Sequence, residues 1–252
     1  MTWQTLQEHE AHYLDRFHDD YRRKSLERLV RRFVTGRRVL ELRCLTGQLS
    51  IDLALRGYDV TALDALPEAV RLANASAQAQ GISHDLVRPW RLERLADVVD
   101  GQQFDTVLCL DTLIHVPDDR TTLRELAEVV APGGRLVIDA PAYPSLHGKR
   151  DAKLGHLRRY TRRQFRTLIE EAGFTVTLLR PWNFLALPMY ALMEGLLRWE
   201  VPEGLRHGRR GPVNRVTNRL LRWWYLGIEN RLWFPCGLTW FAVATKPSSE
   251  GR

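Results

Sequence analysis

The sequence predicts a doubly wound α/β fold, a mostly parallel sheet with helices on both faces. Three observations predict it. Short apolar runs alternate with longer segments of helical period between residues 38 and 180, the order that a helix-covered parallel sheet requires. Glycine or proline stands where each of several helices should begin or end, at Gly57, Pro67, Gly81 and Gly173. The chain has 252 residues and is 44% apolar, enough to fill the core of one ordinary domain, which excludes disorder, collagen and a disulfide-held miniature fold.

The first strand is Arg38-Val-Leu-Glu-Leu42. A helix follows from about Gly47 to Arg56, closed by Gly57 because a left-handed residue is easiest to place at glycine. Val60 to Asp64 reads as the second strand, and Pro67 opens the next helix at proline's favoured first position, running to about Gln80 before Gly81. The third strand falls near Arg88-Pro-Trp-Arg-Leu-Glu-Arg94. Phe104 to Leu110 is a buried strand, Asp119 to Val130 a helix, and Arg135 to Asp139 a strand after the Pro132-Gly133-Gly134 turn. Thr161 and Gln164 have capping-box spacing at the start of a helix that Gly173 ends, and Phe174 to Leu179 alternates as a strand does.

From Pro181 the pattern changes. Two helical segments, about Met189 to Trp199 and Val213 to Leu232, flank the Gly/Arg/Pro-rich stretch Val201 to Pro212. Leu238 to Thr245 reads as a last strand that closes the sheet edge, so the helical pair is an insertion. A single domain over 1–252 then divides into an N-terminal helical segment (1–35), an α/β core (36–180), the insertion or lid (181–236) and the last strand (237–246).

Charge is unevenly placed. Residues 1–140 carry 18 basic and 22 acidic groups, net −4, and residues 141–252 carry 19 and 8, net +11. The whole-chain value of +7 therefore marks one part of the molecule rather than a generally basic protein. Cys44, Cys109 and Cys236 are far apart, with no C-x-x-C pair, so neither a disulfide framework nor a metal site is expected, and a reducing, cytoplasmic setting fits. The opening residues lack the basic-then-apolar order of an export signal. No run approaches the ~18 apolar residues needed to cross a bilayer, which leaves peripheral membrane contact open.

Four blocks carry a family resemblance: Val39-Leu-Glu-Leu-Arg-Cys-Leu-Thr-Gly47, Val60-Thr-Ala-Leu-Asp64, Phe104-Asp-Thr-Val-Leu-Cys-Leu-Asp111 and Ala131-Pro-Gly-Gly-Arg-Leu-Val-Ile138. In order and spacing this set resembles the class I S-adenosylmethionine-dependent methyltransferases over roughly residues 35 to 180. Pro141-Ala-Tyr-Pro, Asp151, Gly155-His-Leu-Arg-Arg-Tyr-Thr161 and Pro235-Cys-Gly-Leu-Thr-Trp240 are similar to a bacterial, type-11-like subgroup. The resemblance implies a seven-stranded Rossmann-like sheet with the helical insertion before the last strand, S-adenosylmethionine as cofactor and a small-molecule acceptor.

It also implies site residues. Glu41, Arg43, Thr46, Gly47, Asp64 and Ala65 are the cofactor-binding candidates, with Asp64 accepting from the ribose hydroxyls. The family turn reads E-x-G-x-G-x-G, and this chain places Arg43 and Leu45 at the first two glycines. A side chain at each would intrude where the cofactor meets backbone, and Arg43 either pairs with the methionine carboxylate or turns to a nearby acid. At the adenine position stands Arg91, which cannot accept a hydrogen bond; Glu93 is a substitute, and Trp90 either stacks on the base or packs in the core. His115, His156 and Asp111 are the catalytic candidates, and Asp151, Arg158, Arg159 and Tyr160 the substrate-binding ones. The arginine pair either holds an anionic acceptor or forms a solvated basic face.

In the insertion, Val213, Val216, Leu220, Trp224 and Ile228 recur at helical spacing with Arg215, Arg219, Arg222 and Arg231 interleaved. Packing on the sheet or a second subunit, a lid over a greasy acceptor, and contact with anionic lipid are the three readings, in that order. Monomer and homodimer both remain open. For the whole chain the leading reading is a methyltransferase acting on a small, lipid-linked or specialised-metabolite acceptor. The alternatives are a methyltransferase-fold enzyme that performs a redox-neutral cyclisation or elimination, and a non-catalytic or membrane-docked module. A nicotinamide dehydrogenase needs G-x-G-x-x-G, which is absent after Leu42, and no nucleic-acid module accompanies the basic charge.

Overall fold

The computed structural model describes residues 21–90, 94–197, 199 and 219–248. Its strands are β1 (Arg38–Leu42), β2 (Asp59–Asp64), β3 (Val87–Pro89), β4 (Phe104–Cys109), β5 (Val130–Pro141), β6 (Thr175–Trp182) and β7 (Thr239–Thr245). They form one sheet in the order β3-β2-β1-β4-β5-β7-β6. β1 to β5 are mutually parallel, and β7 runs antiparallel to both β5 and β6.

The helices are α1 (Tyr21–Arg31), α2 (Gln48–Leu55), α3 (Pro67–Ala79), α4 (Leu95–Val98), α5 (Asp119–Val129), α6 (Lys149–Lys153), α7 (Arg162–Glu171) and α8 (Ala186–Tyr190). Strand side chains alternate between two cores. Leu40, Leu42, Val107, Cys109 and Ile138 pack beneath α4, α5 and α7, while Val39, Leu108, Val137 and Phe241 pack beneath α1, α2 and α3. Both faces are therefore covered, as the continuous apolar strands require.

Several boundaries follow from local chemistry. Gly57, Gly81 and Gly173 take left-handed φ values of 89°, 87° and 93° just past their helices. Thr161 and Gln164 close a reciprocal capping box at α7. The last strand differs from expectation: β7 does not close the edge but inserts between β5 and β6. Its run Trp240-Phe-Ala-Val-Ala244 is buried on both faces, which suits an interior strand. The edge is β6, which extends three residues further than its alternating pattern indicates and tolerates Pro181 because an edge strand can lack an N–H.

Between β6 and β7 the described segments are helical in part with widened π turns, at Ala191–Leu196 and Trp224–Ile228. The second packs on α1, where the Ser25 hydroxyl donates to the Tyr225 carbonyl and Asn230 Nδ2 to the Ser25 carbonyl, both short. Trp224 lies against Phe184 and Phe234, whereas Leu220 is exposed. Val213, Arg215, Val216 and the Val201–Pro212 stretch lie outside the described residues.

Candidate active site

The β1–α2 turn keeps the backbone of a glycine turn without its glycines. Arg43 and Leu45 have φ values of 56° and 53°, and Gly47 has 67°. An L-residue pays roughly 1–2 kcal/mol for that conformation, so tertiary contacts hold both side chains there. The Arg43 guanidinium crosses the strand ends, donating to the Asp111 carbonyl at 2.9 Å and lying 3.8 Å from the Asp111 carboxylate. Of its two readings, pairing with a nearby acid is the one the geometry shows. Gly47 is required for space as well: a Cβ there would sit 2.9 Å from the Ala73 Cβ on α3.

Asp64, at the end of β2, is 1% exposed. One carboxylate oxygen accepts from the Leu45 amide at 2.7 Å and the other from the Leu66 amide at 2.9 Å. The Leu45 side chain packs with Leu66, Ala69 and Leu72. Asp64 thus ends β2 with both carboxylate oxygens held by backbone amides and the Leu45 turn folded down over it.

Beside this turn opens a cavity of about 200 Å³. Glu41, Arg43, Leu45, Leu110, Asp111 and Asp139 line it from the strand ends, and Arg22, Arg23, Leu26 and Glu27 line it from α1. Its far wall holds His115, Asp151, His156, Arg159, Asn183, Tyr190 and Leu238. Glu41 accepts from the Ser50 hydroxyl, yet burial raises its pKa to about 7 against the pull of that bond and of Arg23. Asp139 is raised to about 7 as well, by burial and then by the Asp111 charge, while it accepts from the Asp111 amide at 2.7 Å.

Asp151 organises the far wall. Arg159 donates to both of its oxygens at 2.8 and 3.0 Å, His156 Nδ1 lies 2.9 Å away, and the Gly148 amide and Tyr190 hydroxyl donate at 3.0 and 3.2 Å. Burial works to raise its pKa, but His156 and Arg159 hold it well below the usual carboxylate range. The His156 ring meets His115 edge-on, with centroids 5.1 Å apart. Among the described residues, both His115 ring nitrogens are shielded from water without a hydrogen-bond partner of good geometry. Burial first, then the charges of Arg43 and His156, keep this imidazole neutral.

The structure therefore brings Glu41, Arg43, Asp111, His115, Asp151, His156 and Arg159 to one cavity. Thr46, Gly47, Asp64 and Ala65 belong to the adjoining turn and strand end rather than to the cavity wall. Two residues expected to bind the substrate, Arg158 and Tyr160, do not line this cavity. Arg158 pairs with Asp119 at 3.0 Å and donates to the Pro117 carbonyl, and the buried Tyr160 hydroxyl donates to Asp119 at 2.7 Å, so both instead tie this segment to the start of α5. Trp90 packs in the core, and Arg91 and Glu93 lie outside the described residues. Arg22, Arg23, Asp139, Arg150 and Tyr190 were not foreseen. Asp139 had a signal, an acid at the carboxyl end of a parallel strand, where such sheets place ligands; the α1 arginines had none.

The sequence profile of the methyltransferase-domain family matches residues 12–179. Curated relatives are named ubiquinone biosynthesis O-methyltransferase: that of Xanthomonas euvesicatoria pv. vesicatoria is 36% identical over 107 residues, 42% of this chain and 43% of that one. The protein of the same name from Aeromonas salmonicida is 37% identical over 103 residues, 41% and 42% of the two chains. The matched region is less than half the length of these relatives. Among solved structures, the putative methyltransferase of Haloferax volcanii in complex with the activator Trm112 has TM-score 0.63 at 16% identity, covering 98% of this chain and 100% of that one. The [4+2]-cyclase SpnF has TM-score 0.55 at 19% identity, covering 89% and 81%. With two thirds of its length matched by that profile on this strand order, the chain belongs to the methyltransferase-domain family, class I enzymes that use S-adenosylmethionine.

Proposed function

We propose that the protein transfers a methyl group from S-adenosylmethionine to an oxygen of a small acceptor held in the cavity. The observation that carries this is that the β1 turn and the His115–His156 pair line one and the same cavity. The relatives named O-methyltransferases support oxygen as the receiving atom.

The residues present fit the cofactor. The left-handed turn at Arg43, Leu45 and Gly47 supports a ligand lying along backbone, and Asp64 at the end of β2 is the carboxylate that would receive the ribose hydroxyls. Thr46 and Ala65 flank that place; Glu41 and Arg43 would meet the methionine end. Leu45 would move with its backbone, the side chain leaving Leu66 and Ala69 and the main-chain amide leaving Asp64. When bound, the cofactor supplies an electrophilic methyl group on a sulfonium. The chain's own work is to position the acceptor and exclude water. Arg159, locked by Asp151, shapes the wall, and the imidazole pair receives the acceptor hydroxyl. Arg22, Arg23, Arg43, Arg150 and Arg159 share the walls with Glu27, Glu41, Asp111, Asp139 and Asp151; burial pushes Glu41 and Asp139 toward their neutral forms, which leaves the balance to the arginines and supports an anionic acceptor.

A lipid-linked acceptor is supported by the segment between β6 and β7, the lid of this reading. Leu196, Trp199, Leu220, Trp223 and Trp233 are exposed beside Arg219, Arg222 and Arg231, a combination suited to a cytoplasmic protein touching an anionic membrane surface. Among the described residues no helix is long and apolar enough to cross a membrane. Flotation with anionic but not neutral vesicles is expected; flotation with neither removes this part of the reading.

The test of the main reading is transfer of labelled methyl from S-adenosylmethionine to a panel of anionic and neutral phenols, at low and high salt. Product with the anionic members, reduced by salt, is expected. Cofactor binding without methylation of any acceptor would favour the second reading, a cyclisation or elimination catalyst. Arg43 and Leu45 at the glycine positions motivate that reading.

A further inference from the structure

We propose that Asp111, His115 and His156 form a binding site for a divalent transition-metal cation. One ligand atom from each lies within 4.8 Å of the other two. The residues come from different parts of the chain: Asp111 and His115 follow β4, and His156 follows α6. A backbone bond from the Leu157 amide to the Ile114 carbonyl, 2.7 Å, brings these two segments together.

Each residue is prepared for the role. Both ring nitrogens of His115 are water-shielded, and among the described residues neither has a hydrogen-bond partner of good geometry, with the Gly155 backbone close by. A polar atom left so in a folded protein calls for a missing partner. His156 is oriented by a buried carboxylate at Nδ1, which leaves Nε2 for coordination. That is the carboxylate–histidine arrangement found behind metal-ligating imidazoles, and Asp151 is in turn fixed by Arg159, Tyr190 and the Gly148 amide. The Asp111 side chain, 57% exposed, supplies an oxygen on the open side.

Two imidazoles and one carboxylate leave coordination positions open toward the cavity. This donor set suits zinc, cobalt, iron or nickel and is poor for magnesium, which demands oxygen ligands. Resting on the proposed methyl transfer, the open positions would take the acceptor oxygen, so that the imidazole pair meets the acceptor through the cation rather than directly. Arg43, 3.8 Å from the Asp111 carboxylate, competes with the cation for that group.

The experiment needs neither cofactor nor acceptor. Untagged protein, stripped with chelator, is dialysed against zinc chloride and separately titrated with cobalt chloride in the visible region. About one equivalent of zinc and a cobalt absorption band are expected, without competition from magnesium. His115→Gln and His156→Gln should each weaken binding at least tenfold, and zinc should raise the thermal midpoint of the wild type but of neither variant. Arg43→Ala should bind zinc more tightly. No saturable uptake, or equal uptake by the wild type and both folded histidine variants, overturns the site. Uptake without methyl transfer would instead sink the proposed reaction and leave the site standing.

Discussion

Replacing Leu45 with glycine should tighten cofactor binding, and the size of the effect follows from the turn. Leu45 holds φ at 53° and packs its half-buried side chain on Leu66, Ala69 and Leu72, with its amide on Asp64. Glycine removes a left-handed penalty of roughly 1–2 kcal/mol. It gives back about 1 kcal/mol of half-buried leucine surface and about 0.5–1 kcal/mol of backbone entropy. These offset, so the thermal midpoint should move by only a few degrees. Binding is different, because the side chain no longer has to be expelled from the ribose side. Relief of an overpacked position is about 1–3 kcal/mol, or roughly 5- to 150-fold in affinity. Calorimetric titration with S-adenosylmethionine reads it directly, with Leu45→Ala, which keeps the φ penalty and a methyl group, falling between. Wild-type or weaker affinity in Leu45→Gly would refute the idea that this side chain guards the ribose carboxylate.

Other consequences concern stability. A carboxyl whose folded pKa is raised loses stability as pH climbs from its unfolded to its folded value. Glu41, raised from 4.5 to about 7, should cost roughly 3 kcal/mol above neutrality. Glu41→Gln is therefore expected to match the wild type near pH 4 and to be the more stable above pH 7 in denaturant unfolding; a constant difference across that window contradicts it. Asp151→Asn leaves Arg159 buried without its carboxylate and should lose about 3–5 kcal/mol, whereas a loss below about 1 kcal/mol would mean the network is not what anchors the wall. Gly47→Ala meets Ala73 in a left-handed position and should lower the thermal midpoint by several degrees; an unchanged midpoint would show that the turn yields freely.

What the sequence made legible was local. β1, the Thr161 cap and the glycine stops of α2, α3 and α7 rest on neighbouring residues, and each lies where its chemistry puts it. The interior position of β7 depends on which strands it pairs with, and an apolar run of seven residues does not say whether it sits at an edge. Asp64 and Asp139 stand at the carboxyl ends of parallel strands, a place where sequence alone can expect a ligand-facing acid. Arg43 could be seen to break the glycine pattern, but its reach to Asp111 is a long-range contact between strands 68 positions apart. Likewise, the cysteine spacing excluded one kind of metal site, while Asp111, His115 and His156 meet only once two segments pair through Leu157 and Ile114.

Whether a degenerate glycine turn still presents a working cofactor site is decided by calorimetric titration of the wild type and Asp64→Ala with S-adenosylmethionine. Saturable binding of about one cofactor per chain is expected for the wild type, weakened at least tenfold in the variant, which loses the charge-assisted ribose contact. Absence of binding to the folded wild type at millimolar cofactor, or equal affinity in the two proteins, would contradict it.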